Sequence, residues 1–350
     1  MTCNKNYLAL TYDDILLVPQ YSEIQTRNQV DLQNSLGFHP NLSIPIISAP
    51  MDTVTGVDMA VKISELGGLG IIHRYNSIED QFNMVFDAKA QGANVIGAAI
   101  GVTGDYLERA EQLVKAGVDV ICIDIAHGHH SSMRDALKAV KNAFPTTHIM
   151  AGNIATGEAY KELCEWGADS IKVGIGNGSI CSTRIQTGHG FPSVSALQEC
   201  KRQAEYRKKI GFHAAKIIAD GGIKNSGDIV KAIASGADFV MLGSLLAGTK
   251  EAPGDLITTV EGSRKVYRGM ASREAQNDWR GKSSAPEGIS TTIPYKGELE
   301  SIFSDLVGGI KSGFSYSGAK NISEFQEKAK MIQQTSAGQY ESWTHILGKK

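Results

Sequence analysis

No two of the five cysteines form a C-x-x-C pair. Cys3, Cys122, Cys164, Cys181 and Cys200 are scattered along 350 residues, which excludes a disulfide framework and a zinc ribbon as organising devices. No apolar run approaches the length of a bilayer span, and the opening M-T-C-N-K-N-Y-L-A-L has no apolar core behind a basic start. We therefore expect a soluble, cytoplasmic protein with no membrane partner. Neither sign of charge is in excess: 35 basic residues stand against 37 acidic ones, and a net charge of −2 gives no reason to look for nucleic acid. Proline is scarce at 9 residues while glycine reaches 38. In a chain free of low-complexity tracts, that ratio points to many tight exits from strands. With 42% hydrophobic and 21% charged residues, this length can bury a substantial core.

What is present is a rhythm. Apolar, β-branched runs recur eight times, at 44–49, 69–73, 95–102, 118–126, 148–154, 170–175, 216–220 and 239–243. They are continuous rather than alternating, as expected of parallel strands covered by helices. Helical periodicity fills the intervals, as at 105–116, 131–144, 156–166 and 226–234, and Gly67, Gly117, Gly167 and Gly236 stand at helix-stop positions. Eight such alternations in roughly 200 residues predict a (β/α)8 TIM barrel rather than an open doubly wound sheet. We expect one domain over 1–350, with an active-site flap at 252–292 and a C-terminal tail at 320–350.

The densest chemistry lies at 173–188, V-G-I-G-N-G-S-I-C-S-T-R-I-Q-T-G. Gly174, Gly176 and Gly178 allow positive φ and close approach to a ligand, so the loop can present N–H and C=O groups to an ion or a phosphate. They do not meet the dinucleotide G-x-G-x-x-G spacing, because they open onto Cys181 and not directly onto a helix. A cysteine after a flexible turn is ordinarily a small buried hydrophobe. Here Ser179, Ser182, Thr183 and Arg184 surround it, and an arginine beside a thiol lowers its pKa, so a reactive thiolate is expected at Cys181. Cys122, Cys164 and Cys200 fall inside strand or helix patterns, where a thiol fills core.

A barrel carries its site at the C-terminal ends of its strands. That rule gathers Ser48 and Asp52, His73 and Arg74, Asp124 and His127, Asn153, Cys181 and Thr183, Asp220 with Gly221 and Gly222, and Gly243 with Ser244. D-G-G taken alone is a turn. Followed one unit later by G-S, the pair after strands seven and eight points to phosphate held by backbone N–H groups. Beyond strand eight the rhythm stops, and 252–292 is long enough to be either functional or disordered. Tyr267 and Trp279 favour a mobile flap over the active site. From Pro294 helical periodicity returns, and the last stretch is amphipathic and then polar, with a loosely ordered end expected.

These residues also carry a resemblance. G-I-G-N-G-S-I-C-S-T-R resembles the catalytic cysteine loop of the IMP dehydrogenase/GMP reductase family. L-T-Y-D-D-I-L-L-V-P, S-A-P-M-D-T-V, G-G-L-G-I-I-H, A-G-N-I-A-T, A-D-G-G-I, M-L-G-S-L-L-A-G, Y-R-G-M and Y-K-G are similar to further family landmarks, in the right order over nearly the whole chain. The loop departs at Asn177, where the family usually has proline, a position that bears on loop rigidity and cation affinity. The paired regulatory CBS insertion of many dehydrogenases is absent, since Ser77 runs straight into a helix and the third strand.

The resemblance implies a thiolate at Cys181 that adds to C2 of a purine ring, with hydride exchanged at a nicotinamide. It implies phosphate binding by Ser179, Gly222, Gly243, Ser244 and Tyr267, with Asp220 on the ribose hydroxyls. Met270 and Glu287 would contact the base, with Ser48, Gly221 and Gly269 also on the nucleotide. Asp124, Ala126, Asn153, Gly174 and Arg184 would lie on the cofactor side. Backbone carbonyls of Gly176, Gly178 and Cys181 would hold a monovalent cation, K+, and the assembly would be a homotetramer.

Direction of reaction is the open point. Dehydrogenases of the family resemble one another in an adjacent Arg-Tyr in a long flap, which activates water. This flap is short and has Trp279-Arg280 but no Arg-Tyr. Thr183 and Glu287 suit the proton transfers of a reductase releasing ammonia from GMP with NADPH. The D-I-A and A-G-N-I-A-T-G-E segments are reductase-like, whereas P-E-G-I and the tail T-S-A-G-Q-Y-E-S are closer to the dehydrogenase branch, which oxidises IMP with NAD. We expect a GMP reductase, with IMP dehydrogenase as the alternative and a catalytically silent purine-nucleotide-binding barrel as the remote one.

Overall fold

The chain enters through a short strand, β1 (Ile15–Leu17), and then makes the eight strands of a closed parallel barrel. These are β2 (Ile46–Ser48), β3 (Leu69–Ile72), β4 (Ile96–Ile100), β5 (Val120–Asp124), β6 (His148–Ile154), β7 (Ser170–Val173), β8 (Lys216–Asp220) and β9 (Phe239–Leu242). The ring closes where Ile46, Ile47 and Ser48 pair with Val240, Met241 and Leu242. The computed structural model describes residues 8–260, 262–342 and 344. Each of the eight apolar runs becomes one barrel strand, so the TIM-barrel expectation holds.

Helices cover the outside, and their ends have local causes. Ser77, Thr156 and Asn225 accept backbone N–H groups three residues on and so start the helices Ile78–Ala90, Gly157–Trp166 and Ser226–Ala234. The stop at Gly167 needs φ of +107°, where a side chain would be strained.

Alternation within the strands sorts the core into two shells. Ile46, Ile121, Ile123, Ile171, Ala219 and Val240 pack outward against helices, while Ile47, Val120, Cys122, Ile218, Phe239 and Met241 fill the barrel interior. Leu36, Leu42 and the partly buried Phe38 belong to the inner cluster. Burial of this extent is the dominant stabilising term.

The stretch 252–292 is not a bare loop. Strands β10 (Ile257–Thr259), β11 (Gly262–Arg268) and β12 (Ser290–Pro294) form an antiparallel sheet, and helix Arg273–Arg280 lies between the last two. Alternating burial along β11 buries Lys265 and Tyr267 and leaves their neighbours more open, a half-covered pattern unlike that of the barrel strands. In the tail, β13 (Met331–Gln333) pairs with β1 and is followed by helix Ser336–Glu341. Cys3 and the end of the tail, at 343 and 345–350, lie outside the described residues.

Candidate active site

The same alternation that builds the interior decides which residues reach the barrel mouth. Continuing two residues past Cys122 and Ile218 gives Asp124 and Asp220 at the inward-facing ends of β5 and β8. Lys172, which like Ser170 is an inward residue of β7, is buried at 2% exposure and forms ion pairs with both: one with Asp124 and one with Asp220 Oδ2 at 3.4 Å. Burial alone would push its ammonium down, but the charges of Asp124 and Asp220 outweigh it and hold the pKa above the usual lysine value. A register shift between Gly152 and Ile154 marks β6 at Asn153, whose Nδ2 donates to Gly174 O and to Asp220 Oδ2, both at 2.8 Å.

Gly174 leaves β7 with φ of +152°, and a Cβ there would lie 2.0 Å from the Asp220 carbonyl oxygen, so only glycine permits this approach. Beyond it Asn177 fixes the loop: its Nδ2 donates to Ser193 Oγ at 2.9 Å and to Gly221 O at 3.4 Å. Hydrogen bonding thus restrains the position where the family usually has proline.

At the tip, Cys181 Sγ donates to Thr183 Oγ1 at 3.1 Å, and that hydroxyl donates to Glu287 Oε2 at 2.7 Å. Main-chain bonds sew the flap to the loop, with Ser182 N on Glu287 O at 2.9 Å and Ile289 N on Ile180 O at 3.0 Å. The three side chains are therefore positioned by backbone on both sides. Such a chain can carry the thiol proton through a hydroxyl to a carboxylate. Cys122, Cys164 and Cys200 are buried elsewhere, and burial pushes the Cys122 thiol up to about 12, which keeps it protonated.

A cavity of about 230 Å³ brings most of the expected residues together. Cys181, Thr183 and Glu287 share its wall with Ala126, Gly178, Ser179, Asp220 to Gly222, Gly243 and Ser244. Tyr267, Gly269 and Met270 contribute the flap side. Tyr267 lies with its hydroxyl 3.4 Å from Ser179 Oγ and against Gly243. Burial pushes its phenol up, so it is a hydrogen-bond donor at neutral pH. Its hydroxyl, that of Ser179 and the turns at Gly222 and Gly243 together can cradle a phosphate.

Of the expected residues, Ser48, Asp124, Asn153, Gly174, Gly176 and Arg184 are not on this wall. Ser48 follows the inward Ile47 and so faces outward; it is fully buried and accepts the Thr55 hydroxyl at 2.8 Å, and the inward Ala49 lines the cavity in its place. Arg184 turns its guanidinium to the Phe191 carbonyl at 3.0 Å, and lines a neighbouring polar chamber with Gly176, Asn177 and Lys224. The hydrogen-bond partner of the Cys181 thiol is Thr183. Among the described residues, no group of three or more His, Cys, Asp or Glu side chains is arranged to hold a metal ion. The Gly178 carbonyl already accepts the Cys181 N–H at 3.1 Å.

Lys172 and Arg268 were not picked out as site residues from the sequence. A lysine in the otherwise apolar run S-I-K-V was the available signal for the first. Arg268 anchors the flap by donating from Nε (2.9 Å) and Nη2 (2.6 Å) to Asp52 Oδ2. Nothing local in the sequence marks that pairing across 216 residues.

Residues 9–345 match the IMP dehydrogenase / GMP reductase domain. The chain is 41% identical over 389 residues to inosine-5′-monophosphate dehydrogenase of Cryptosporidium parvum, covering 96% of this chain and 95% of that protein. It is 33% identical over 473 residues to the enzyme of the same name from Nitrosopumilus maritimus, covering 96% and 98%. Among solved structures it superposes with a TM-score of 0.91, at 31% identity, on a cysteine-to-alanine variant of GMP reductase from Trypanosoma brucei in complex with guanosine 5′-monophosphate, covering 97% and 98% of the two chains. The barrel, its cysteine loop and these matches place the chain in the IMP dehydrogenase / GMP reductase family, oxidoreductases that act on purine nucleotides with a nicotinamide cofactor.

Proposed function

We propose that this protein is a GMP reductase that converts GMP to IMP and ammonia with NADPH. The observation that carries the reading is the hydrogen-bonded chain from Cys181 through Thr183 to Glu287. The thiol proton moves along it to Glu287, and the thiolate adds to C2 of the guanine ring, displacing the C2=N3 π pair onto N3. Glu287, now protonated, returns its proton through Thr183 to the departing amino group, and ammonia leaves as the N3 pair re-forms the C2=N3 bond and the C2–N bond breaks. The purine stays joined to Cys181 through C2. NADPH, when bound, supplies the hydride that replaces sulfur at C2.

For the nicotinamide, the donor set fits. Among the described residues Asp124 Oδ2 and Asn153 Oδ1 accept no hydrogen bond from the protein, so two acceptors stand open for a carboxamide N–H₂. Phosphate contacts from Ser179, Gly222, Gly243, Ser244 and Tyr267, ribose contacts from Asp220, and base contacts from Gly269 and Met270 belong to the same proposal. So do a K+ ion at the carbonyls of Gly176, Gly178 and Cys181, assembly as a homotetramer and a cytoplasmic location.

The flap supports this direction over hydrolysis. Arg280, the flap arginine that follows Trp279, is exposed at the end of its helix and lines a different cavity from Cys181. Neither Arg273 nor Arg280 of the flap helix lines the cavity that holds the sulfur, so neither stands there to activate water. A missing general base typically costs about 10²- to 10⁴-fold in rate, enough to leave the covalent adduct to reduction. The names of the relatives favour the second reading, IMP dehydrogenase with NAD.

One spectrophotometric comparison separates the two. GMP with NADPH should turn over faster than IMP with NAD, and Glu287→Gln should cut kcat for GMP far more than it raises KM. Robust XMP formation without GMP-dependent NADPH loss transfers the assignment to IMP dehydrogenase.

A further inference from the structure

The polar chamber beside the cysteine cavity has a volume of about 280 Å³. Ser179, Gly222, Ile223 and Ser244 line both spaces, so the two meet at residues read above as holding a 5′-phosphate. From that junction the chamber is bounded by Tyr12 and Asp13 ahead of β1, by Asn177 and Arg184 after β7, and by Lys224 after β8.

Tyr12 is the unexpected member of this wall. Its side chain is 2% exposed, yet its hydroxyl has no hydrogen-bond partner among the described residues. The neighbouring Ser193 Oγ is taken by Asn177 Nδ2 at 2.9 Å. Burial first, and then the charges of Asp228 and Asp220, push the phenol up, and Ser193 offsets only part of this. The hydroxyl therefore stays protonated and is a donor. A buried O–H left unspent costs free energy, and an acceptor entering the chamber removes that cost.

The charges suit an anionic acceptor. Arg184 donates Nη2 to the Phe191 carbonyl at 3.0 Å and leaves Nε and Nη1 without a partner among the described residues. Lys224 Nζ lies 2.7 Å from each oxygen of Asp13, but the two side chains are 54% and 44% exposed. So exposed a pair contributes little, and Lys224 can turn from it to a stronger acceptor. Two cations against one carboxylate leave the chamber with a positive balance. Its junction with the phosphate cradle says which anion: one joined to the 5′-phosphate through a bridging oxygen.

We infer that the chamber receives the β-phosphate of a purine nucleoside 5′-diphosphate whose α-phosphate lies in the cradle, with Tyr12 and Lys224 as its donors, so that GDP competes with GMP for the site. The inference rests on the reading of the cysteine cavity as a purine-nucleotide site and extends that reading from monophosphates to diphosphates. It does not depend on the direction of the reaction.

Calorimetric titration of the full chain with GMP, GDP, IMP, IDP and inorganic pyrophosphate tests it without turnover. GDP should bind at least as tightly as GMP, and protein saturated with GDP should take up no GMP. Lys224→Gln should weaken GDP about tenfold and Tyr12→Phe about three- to tenfold, with GMP affinity unchanged in both. Lys224 is exposed, so its replacement keeps the test decisive should Tyr12→Phe misfold. Weaker binding of GDP than of GMP overturns the inference, as does a GDP affinity that both substitutions leave unchanged. Simultaneous binding of GDP and GMP overturns it as well. Pyrophosphate that binds GMP-saturated protein with the same Lys224 dependence replaces it with a general anion site. IDP and IMP showing this pattern in place of GDP and GMP uphold it while moving the reaction to IMP. GMP binding without GDP binding sinks this inference alone, whereas failure of all four nucleotides to bind takes the nucleotide reading of the cysteine cavity with it.

Discussion

Strands β6 and β7 each carry polar residues at both ends of the barrel, and the two ends treat them in opposite ways. At the floor, His148 opens β6 and Ser170 opens β7; His148 Nε2 and Ser170 Oγ lie 2.8 Å apart, with the Phe38 ring 5.2 Å from the imidazole. At the mouth, Asn153 and Lys172 of the same strands hold Asp124 and Asp220, yet among the described residues Asp124 Oδ2 and Asn153 Oδ1 accept no hydrogen bond. Burying a polar group costs free energy at either end. The floor offsets that cost internally, whereas the mouth keeps acceptors open to a ligand. Polar residues inside the barrel thus do not by themselves mark the site; open hydrogen-bonding capacity does.

The largest effect expected from that difference is at the thiols. Cys181→Ala, at the mouth, should lower GMP turnover by about 10³-fold or more, since it removes the nucleophile. Cys164→Ala, in the packed shell, should leave kcat within about twofold and cost about 1 kcal/mol of stability. Steady-state rates beside urea melts of the two variants decide this, and near-normal turnover of Cys181→Ala ends the covalent mechanism.

Within β7 the comparison can be made over two residues. Lys172→Met leaves Asp124 and Asp220 facing one another in a largely buried site without their cation, and should destabilise by about 3–5 kcal/mol. Ser170→Ala at the floor removes one partner of a neutral pair and should cost about 1–3 kcal/mol. Lys172→Arg should recover part of the loss. If Lys172→Met is no worse than Ser170→Ala, the carboxylates do not depend on that ammonium.

How far the sequence reaches follows the range of the interactions. Strand runs, caps and helix-stopping glycines act within a few residues, and each of the eight runs therefore became a barrel strand. Cys181, Thr183, Asp220 and Ser244 were legible because they sit on loops whose local pattern is distinctive. Ser48 was chosen for its polarity, although alternation from Ile47 directs Ala49 inward. Arg184 was placed near the thiol by adjacency in sequence, but the helix Thr183–Thr187 turns it to Phe191. The flap read as a loop because its sheet depends on β11 pairing with β12 more than 20 residues later, a contact no local period announces.

The smallest effect tests the floor itself, through pH. Burial is the largest influence on His148 and pushes its pKa down; Asp169 pulls it up, Lys141 and His213 push it further down, and the result is about 4 against an ordinary 6.5. The unfolded chain therefore binds a proton between pH 6.5 and 4 that the folded chain refuses. Stability from the neutral imidazole is fully present above pH 6.5 and falls as pH drops toward 4, by about 3 kcal/mol in all. The informative quantity is the difference between the variant and the unmodified chain. Replacing His148 by Gln keeps a donor within reach of Ser170 and removes the titration. Urea unfolding at a series of pH values should give His148→Gln a shallower loss than the unmodified chain by about that amount. Parallel curves would mean that the imidazole titrates alike in the folded and unfolded chains, and the floor would then be as open as the mouth.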